Sequence, residues 1–263
     1  MSQPAEIKIV LVGAGNVATH LGSALQEKGF SIIQVYSHTL TSAGILGNKL
    51  QTKFTHTIQD IDRDADLYLF SLKDSVLPEI IEQFFPVDGL LVHTSGTLSW
   101  NVFERRGAGR FGVLYPLQTF SKTRKVAFDT LPVFIEANNP KDEDRLETIA
   151  LTLSNRVVRL SSDRRKQLHL AAVFACNFTN HLYAIAAEIL EKQDLPWNVL
   201  LPLIQETAAK VKQLHPKEAQ TGPAVRYDQD VMNSHLESLK GDPDKQELYR
   251  MISRSIQRFE NNV

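Results

Sequence analysis

The sequence is poor in cysteine and has no excess of charge of either sign. Cys176 is the single cysteine among 263 residues, so no internal disulfide can form. Because disulfides belong to oxidising compartments, this usage favours a reducing, cytoplasmic location. The formal net charge is −1, with 29 Lys and Arg against 30 Asp and Glu. Proteins that bind nucleic acids or membrane surfaces concentrate positive charge, so we expect neither partner.

Long apolar runs are missing as well. The first ten residues, MSQPAEIKIV, lack a basic segment followed by an apolar core, so we expect no signal peptide. No uninterrupted run of about 18 apolar residues occurs, and on that ground we expect no membrane span. The eight histidines show no zinc-site spacing and no carboxylate cluster, so we expect no metal.

The first part of the chain alternates strand-like and helix-like segments. Such alternation predicts an α/β fold, a Rossmann-type doubly wound and mostly parallel sheet, over residues 1–160. The strand-like segments are IKIVLVG (7–13), SIIQVYS (31–37), DLYLFSL (66–72), LLVHTS (90–95), RFGVLYPL (110–117), LPVFIEA (131–137) and RVVRLS (156–161).

Residues 161–263 change character and predict an all-α C-terminal domain. Helical patterns cover residues 163–192, 196–214, 230–239 and 243–259, the last with Asp242 as its N-cap. The first of these helices is apolar on nearly all sides, so we expect it to be buried. Either a second subunit or other helices of the same chain would cover it.

A glycine-rich turn, GAGNVA, follows the first strand and opens the first helix. Gly13 permits a tight turn, Gly15 lets backbone N–H groups approach a pyrophosphate, and Ala18 allows close packing of helix and strand. We therefore predict that Gly13, Gly15, Asn16 and Val17 bind a dinucleotide. The alternative is a tight turn that binds nothing.

The second strand ends in VYSHT, with no acidic residue where NAD-binding proteins commonly place one. Ser37, His38 and Thr39 offer hydroxyl donors and an imidazole, which can hold a phosphate dianion. The missing acid favours NADP over NAD. The alternative is a polar turn without a phosphate contact.

Polar residues follow the other strands, at the edge of the sheet where ligands of open α/β proteins bind. Ser95 stands in HTSGT, which lacks the G-x-S-x-G pattern of a hydrolase nucleophile. The predicted cofactor contacts at this edge are Ser71, Leu72, Thr94 and Gly96, and the predicted substrate contacts are His93 and Ser95.

The apolar helix 163–192 carries a polar stripe. At about 100° per residue, His169, Cys176, Asn180 and Tyr183 share one face, and Asn177 lies at its flank. Buried polar groups need partners, so the stripe is either an internal hydrogen-bond network or the wall of a substrate cleft. Further along, Arg226 in QTGPAVRYD either clamps a substrate carboxylate or pairs with Asp228.

Six motifs together resemble a known family. They are GAGNVA, VYSHT, HTSG, LYPLQTF, LHLAAVFACNF and TGPAVRYD, in this order. The family is one of Rossmann-like proteins with a C-terminal domain of unknown function, labelled as NADP oxidoreductases. More distantly, the chain resembles pyrroline-5-carboxylate reductase, ketopantoate reductase and 6-phosphogluconate dehydrogenase-like enzymes. The resemblance implies a nicotinamide-binding first domain and a helical second domain, of the 6-phosphogluconate dehydrogenase type, that forms a homodimer.

One departure bears on the chemistry. The related 3-hydroxyacid dehydrogenases use a Lys and an Asn one helical turn apart, whereas here Leu170 follows Lys166 and His181 follows Asn177 at that spacing. On the family's H-x-A-A-V-F-A-x-N pattern, His169 and Asn177 are the candidates to replace that pair.

These observations predict an NADP(H)-dependent oxidoreductase that transfers a hydride between the nicotinamide and a small carbonyl or imine compound. His169 and Asn177 are the predicted catalytic residues, and Asn180 and Arg226 are further predicted substrate contacts. The alternative is a non-catalytic NADP-binding sensor or assembly protein. A methyltransferase is a third possibility, although its cofactor's ribose would favour an acid near position 37.

Overall fold

The computed structural model describes residues 7–107 and 109–260. The chain divides into two compact units, residues 1–177 and residues 178–263. The sequence-based boundary at residue 160 follows the change from strands to helices. Packing divides the chain further along, because the helix that begins at Ser162 still buries Ser162 and Arg165 within the first unit.

The first unit contains a twisted, mostly parallel sheet in the order β3-β2-β1-β4-β5-β6-β7-β8. All neighbouring strands run parallel except β6 and β7, which are antiparallel. The predicted Rossmann-type sheet is therefore confirmed, and only the short strand β3 lacked a sequence signal. The strands are β1 (Lys8–Val12), β2 (Ser31–Tyr36), β3 (Lys53–Thr55), β4 (Leu67–Phe70), β5 (Leu90–His93), β6 (Phe111–Pro116), β7 (Val133–Ala137) and β8 (Val157–Arg159).

Helices cover both faces of this sheet. Ile9 and Leu11 of β1 point into one apolar cluster and Val10 and Val12 into the other, because successive side chains of a strand alternate between its faces. This explains why β1 reads as a continuous apolar run. The α-helices of the unit are α1 (Asn16–Glu27), α2 (Leu40–Lys49), α3 (Leu77–Gln83), α4 (Pro140–Leu153) and α5 (Ser162–Ala172).

The second unit is helical, as predicted. Asp242 caps α9, since its Oδ1 accepts a hydrogen bond of 3.1 Å from the N–H of Lys245. Pro202 lies in the first turn of α7 and so divides the predicted segment 196–214. The α-helices are α6 (Thr179–Glu191), α7 (Leu201–Lys210), α8 (Gln229–Ser238) and α9 (Pro243–Glu260).

The helical run Ser162–Glu191 is continuous, as predicted, but it contains a π-helix at Val173–Phe178. The expectation that it is buried is wrong for the isolated chain. Residue Phe174 is 62% exposed, and no residue of α6 is buried. In the described part of the chain, other helices therefore do not cover this surface.

The same run is long and apolar enough to cross a bilayer, judged by length and composition alone. We expected no membrane span because the sequence has no uninterrupted apolar run. The helix Ser162–Glu191 contains scattered polar residues, but its mean hydropathy is still apolar. A helix at the core of a soluble assembly has the same length and composition. The absence of a membrane partner therefore stays a prediction.

Candidate functional site

Gly13 joins the carboxyl ends of three strands. Its φ is +122°, a conformation that favours glycine. Its N–H donates to the carbonyl of Tyr36 at the end of β2, at 2.8 Å. A Cβ at position 13 would stand 2.4 Å from the carbonyl oxygen of Ser71, directly after β4. The tight turn therefore requires this glycine whether or not a ligand binds.

Gly15 has a different environment. It is the N-cap of α1 with an ordinary φ of −78°, and a Cβ there would meet none of the described atoms within 4 Å. No side chain of the described residues caps α1, and its first turn contains no acid. Backbone donors thus face open space at the positive end of a helix, which fits a pyrophosphate. The side-chain amide of Asn16 donates to the carbonyl of Phe120 at 2.7 Å and so ties this turn to the loop after β6.

The three polar residues after β2 are placed differently from one another. Thr39 caps α2, because its hydroxyl oxygen accepts a hydrogen bond of 3.3 Å from the N–H of Ser42. Ser37 is half-buried beside the glycine turn, and His38 is exposed. Neither of these two side chains has a hydrogen-bond partner among the described residues, so both are available to a phosphate. The predicted role of Thr39 competes with its capping role.

Two separate sets of hydrogen bonds link the residues that follow β4 to those that follow β5. The Oγ1 of Thr94 lies 3.4 Å from the Oγ of Ser71. The Oγ of Ser95 accepts from the N–H of Thr97 at 3.0 Å, so this hydroxyl closes a turn. The Thr97 hydroxyl donates in turn to the carboxylate of Asp74, after β4. Some of the polar groups at these strand ends therefore bind one another, so their presence alone does not indicate a ligand.

His93 and Arg165 are both buried, with 0% exposure. Burial in the first place, and the charge of Arg165 in the second, lower the pKa of His93 to about 3, so its imidazole is neutral. Its Nδ1 accepts from the N–H of Ser95 at 3.1 Å, and Arg165 pairs with Glu136 at 2.8 Å. This placement disfavours direct contact of His93 or Ser95 with a substrate, and their predicted roles remain predictions.

His169 is held by two neighbours. Its Nδ1 lies 3.0 Å from the hydroxyl of Tyr115, at the end of β6. A Cβ at Gly96 would stand only 2.5 Å from the same nitrogen, so the imidazole packs on the backbone of Gly96. Gly96 was expected to approach the cofactor, whereas its observed close neighbour is a side chain of the chain itself. The role of Tyr115 escaped the sequence analysis because its partner is 54 residues away.

A cavity of about 630 Å³ opens beside this pair, at the carboxyl edge of the sheet. The predicted residues Asn16, Val17, His169 and Asn177 all line it. No Lys or Arg is among the described residues that line it. The full set is Asn16, Val17, Tyr115, Leu117, Gln118, Thr119, Phe120, Leu168, His169, Ala171, Ala172, Val173, Ala175, Cys176 and Asn177.

The π-helix brings Cys176 and Asn177 to this cavity. A π-turn holds about one residue more than an α-turn. The spacing of about 100° per residue, on which the predicted stripe of His169, Cys176, Asn180 and Tyr183 depended, therefore does not hold through it. Such turns are frequent at functional sites.

Asn180 and Arg226 belong to the second unit, and both are exposed. The alternative that Arg226 pairs with Asp228 is not observed among the described residues. Asp228 instead caps α8 by accepting a hydrogen bond of 3.3 Å from the N–H of Val231. The predicted substrate contacts of Asn180 and Arg226 remain predictions. Among residues 7–107 and 109–260, no group of three His, Cys, Asp or Glu could hold a metal ion.

The sheet order, the glycine turn and the cavity at the carboxyl edge define a Rossmann-like protein, a class in which ligands bind beyond the carboxyl ends of the strands. Two family descriptions match the chain: a Rossmann-like domain over residues 1–119 and a domain of unknown function, DUF2520, over residues 131–256. The chain belongs to the family that joins these two domains. The resemblance seen in the motifs is thereby confirmed.

Solved structures support this assignment. The chain is 51% identical to a protein from Bacteroides fragilis described as a "putative NADP oxidoreductase", with a TM-score of 0.90 over 96% of this chain and 98% of that chain. No curated protein matches the chain in sequence.

Two more distant structures show the shared fold alone. A reductive aminase from Aspergillus terreus, in complex with NADPH and ethyl-5-oxohexanoate, is 12% identical with a TM-score of 0.73, over 97% of this chain and 93% of that chain. A 1-pyrroline-5-carboxylate reductase from Streptococcus pyogenes is 11% identical with a TM-score of 0.63, over 96% and 98%.

Proposed function

We propose that this protein is an NADP(H)-dependent oxidoreductase that transfers a hydride between the nicotinamide and a small carbonyl or imine compound. One observation carries the proposal: a single cavity is lined both by the N-terminus of α1 and by His169. A dinucleotide bound at the glycine turn would therefore share its space with a titratable side chain. The name of the Bacteroides fragilis relative supports the same class.

The chain's own groups suit NADP. The open space at Gly15 and the uncapped N–H groups of α1 would hold the pyrophosphate. Ser37 and His38 would contact the 2′-phosphate, and no acid at positions 37–39 repels it. The bound cofactor supplies or accepts the hydride.

The substrate side of the cavity favours a carbonyl or imine. His169 and Asn177 would donate hydrogen bonds to its oxygen or nitrogen, and His169 can also deliver a proton. The names of two relatives of this fold, a pyrroline-5-carboxylate reductase and a reductive aminase, denote chemistry at a carbon–nitrogen bond. None of the described lining residues is a cation that could bind a substrate carboxylate.

Calorimetric titration with NADPH and NADH, separately, tests the cofactor. We expect NADPH to bind more tightly, and Ser37→Asp to weaken NADPH at least tenfold, about 1.4 kcal/mol, because a carboxylate would repel the 2′-phosphate. Thr148→Asp is the matched control, since it adds the same charge at an exposed position of α4. If neither cofactor binds, the glycine turn is only a turn and the proposal fails.

Turnover separates an enzyme from a binding protein. The Lys–Asn pair of the 3-hydroxyacid dehydrogenases is missing here, because neither Lys166 nor Asn177 has its partner one helical turn away. This absence favours the alternative of a non-catalytic NADP-binding sensor or assembly protein. We expect NADPH oxidation with at least one member of a broad panel of ketones, aldehydes and cyclic imines. Tight NADPH binding without any reduction would replace our proposal by this alternative.

We also propose that two copies associate through their C-terminal helices. Among the described residues of the second unit, only Ala224, Met232 and Ser253 are buried. Apolar side chains of α6, including Leu182 and Ile189, line an open apolar cavity of about 310 Å³ within that unit. So little buried apolar surface does not offset the conformational entropy that an independent helical unit loses when it folds. We take a second copy of the chain as the partner that covers this surface, because identical copies are present wherever the protein is made.

A further inference from the structure

The hydrogen bond between Tyr115 and His169 can run in two directions, and only one of them gives the tyrosine hydrogen an acceptor in the described part of the chain. The hydroxyl of Tyr115 is the only described group within hydrogen-bond distance of His169 Nδ1, at 3.0 Å. Tyr115 is only 9% exposed, and its hydroxyl has no other partner among the described residues. Its hydrogen therefore needs Nδ1 as an acceptor.

The opposite arrangement would leave the tyrosine hydrogen without a protein acceptor. If Nδ1 carried the hydrogen and donated it to Tyr115, the hydroxyl hydrogen would have to point into the cavity that Tyr115 also lines, where no described residue accepts it. Pairing a largely buried hydroxyl with Nδ1 is favoured over leaving it without a protein partner, so this tautomer is disfavoured. Burial also raises the pKa of Tyr115, so its hydroxyl keeps its proton near neutral pH.

We propose that Tyr115 is a positioning residue whose hydroxyl donates to Nδ1 and thereby places the hydrogen of the neutral imidazole of His169 on Nε2. Gly96 assists, because the absence of a Cβ lets the Cγ–Nδ1 edge of the ring lie against the backbone. The opposite edge of the ring, with Nε2, makes no hydrogen bond to residues 7–107 or 109–260. Because His169 lines the cavity, its Nε2–H is the donor that a ligand would meet.

This inference deepens the proposed function and rests on it for its chemical meaning. A carbonyl oxygen or imine nitrogen is an acceptor, so it needs a donor in the cavity and would be repelled by an unprotonated Nε2. A neutral ring with a fixed Nε2–H also polarises such a group without carrying a net charge into a largely apolar cavity. The site is thus selective for substrates that accept one hydrogen bond at the reacting atom.

Nitrogen-15 NMR of the histidine rings tests the proposal in the full-length protein without any substrate. At a pH where His169 is neutral, we expect Nε2 to show the shift of a protonated ring nitrogen and Nδ1 that of an unprotonated, hydrogen-bonded one. Tyr115→Phe should remove the hydrogen bond, move the Nδ1 resonance and let the ring sample both tautomers. His169→Gln assigns the signals.

Tyr68→Phe is the matched control, since it removes another buried tyrosine hydroxyl, one that donates to the carbonyl of Asp62 at 3.0 Å. It should leave the His169 signals unchanged. A hydrogen on Nδ1 in the wild type, or identical His169 signals in Tyr115→Phe, would overturn the proposal. Cofactor binding is measured separately, so failure of the tautomer assignment and failure of the oxidoreductase proposal give different results.

Discussion

The imidazole of His169 rests on the backbone of Gly96. An added Cβ at Gly96 would lie 2.5 Å from Nδ1 and 3.0 Å from the Cβ of His169. Neither distance is compatible with ordinary packing. Gly96 comes from a loop after β5 and His169 from α5, so this contact sets the position of the candidate proton donor.

Gly96→Ala should therefore act through His169. We expect a loss of about 1–3 kcal/mol in the free energy of unfolding, the usual cost of overpacking. In a His169→Ala background, the same substitution should cost clearly less, because the ring is gone and only the contact with the Cβ of residue 169, at 3.0 Å, remains. Urea unfolding of the four proteins gives the coupling energy. Equal losses in both backgrounds would show that Gly96 is needed for another reason.

The two glycines of the turn should respond oppositely to alanine. Gly13→Ala should destabilise the fold by about 1–3 kcal/mol, since it strains a residue with positive φ and collides with Ser71. Gly15→Ala has an ordinary φ and open space, so its melting temperature should stay close to that of the wild type. The methyl group would occupy the space of the pyrophosphate and weaken NADPH at least tenfold, about 1.4 kcal/mol.

Differential scanning calorimetry and NADPH titration measure the two effects on the same samples. Unchanged NADPH affinity in Gly15→Ala would place the dinucleotide elsewhere. An unchanged melting temperature in Gly13→Ala would mean that the turn relaxes without cost.

The buried histidine His93 predicts acid sensitivity. The pKa of His93 is about 3 in the folded protein, because of burial and Arg165, and about 6.5 in an unfolded chain. Between these values only the unfolded chain binds the proton. The contribution of the buried, neutral His93 to the free energy of unfolding is complete above about pH 6.5. It is lost as the pH falls toward 3, by up to about 1.4 kcal/mol per pH unit.

Urea unfolding between about pH 7 and pH 5 compares the wild type with His93→Gln, which keeps an acceptor for the N–H of Ser95. The variant should lose stability less steeply as the pH falls. His38→Gln, at an exposed position, is the control for replacing a histidine by glutamine. Parallel curves for all three proteins would contradict the low pKa of His93.

The proposed self-association predicts a change in mass. The double variant Leu182→Asp and Ile189→Asp places two charges on the exposed apolar face of α6, where desolvation on association would be costly. We expect the wild type to sediment as a dimer and this variant as a monomer. Leu151→Asp, at an exposed apolar position of α4, is the control and should remain dimeric. A monomeric wild type at micromolar concentration would refute the proposal.

Much of the fold could be predicted because its signals are local. Short strand-like segments that alternate with helix-like ones identified seven of the strands, and the glycine turn identified the junction of β1 and α1. Strand β3 was missed, since its three residues, KFT, are too few to show a period. The exposure of the long helix was also missed, because composition indicates that a face is apolar and says nothing of what covers it.

The sequence by itself determined the class of this protein: a mostly parallel sheet, a glycine turn after β1, a helical C-terminal region and His169 as a candidate residue. Only the tertiary structure decided what surrounds that histidine. Tyr115, Gly96 and His169 are far apart along the chain and show no shared spacing, and the π-helix changes the helical period by which a face is inferred. Periodicity reports neighbours within one element, whereas a hydrogen-bonded pair across two elements exists only once the sheet and helices have packed.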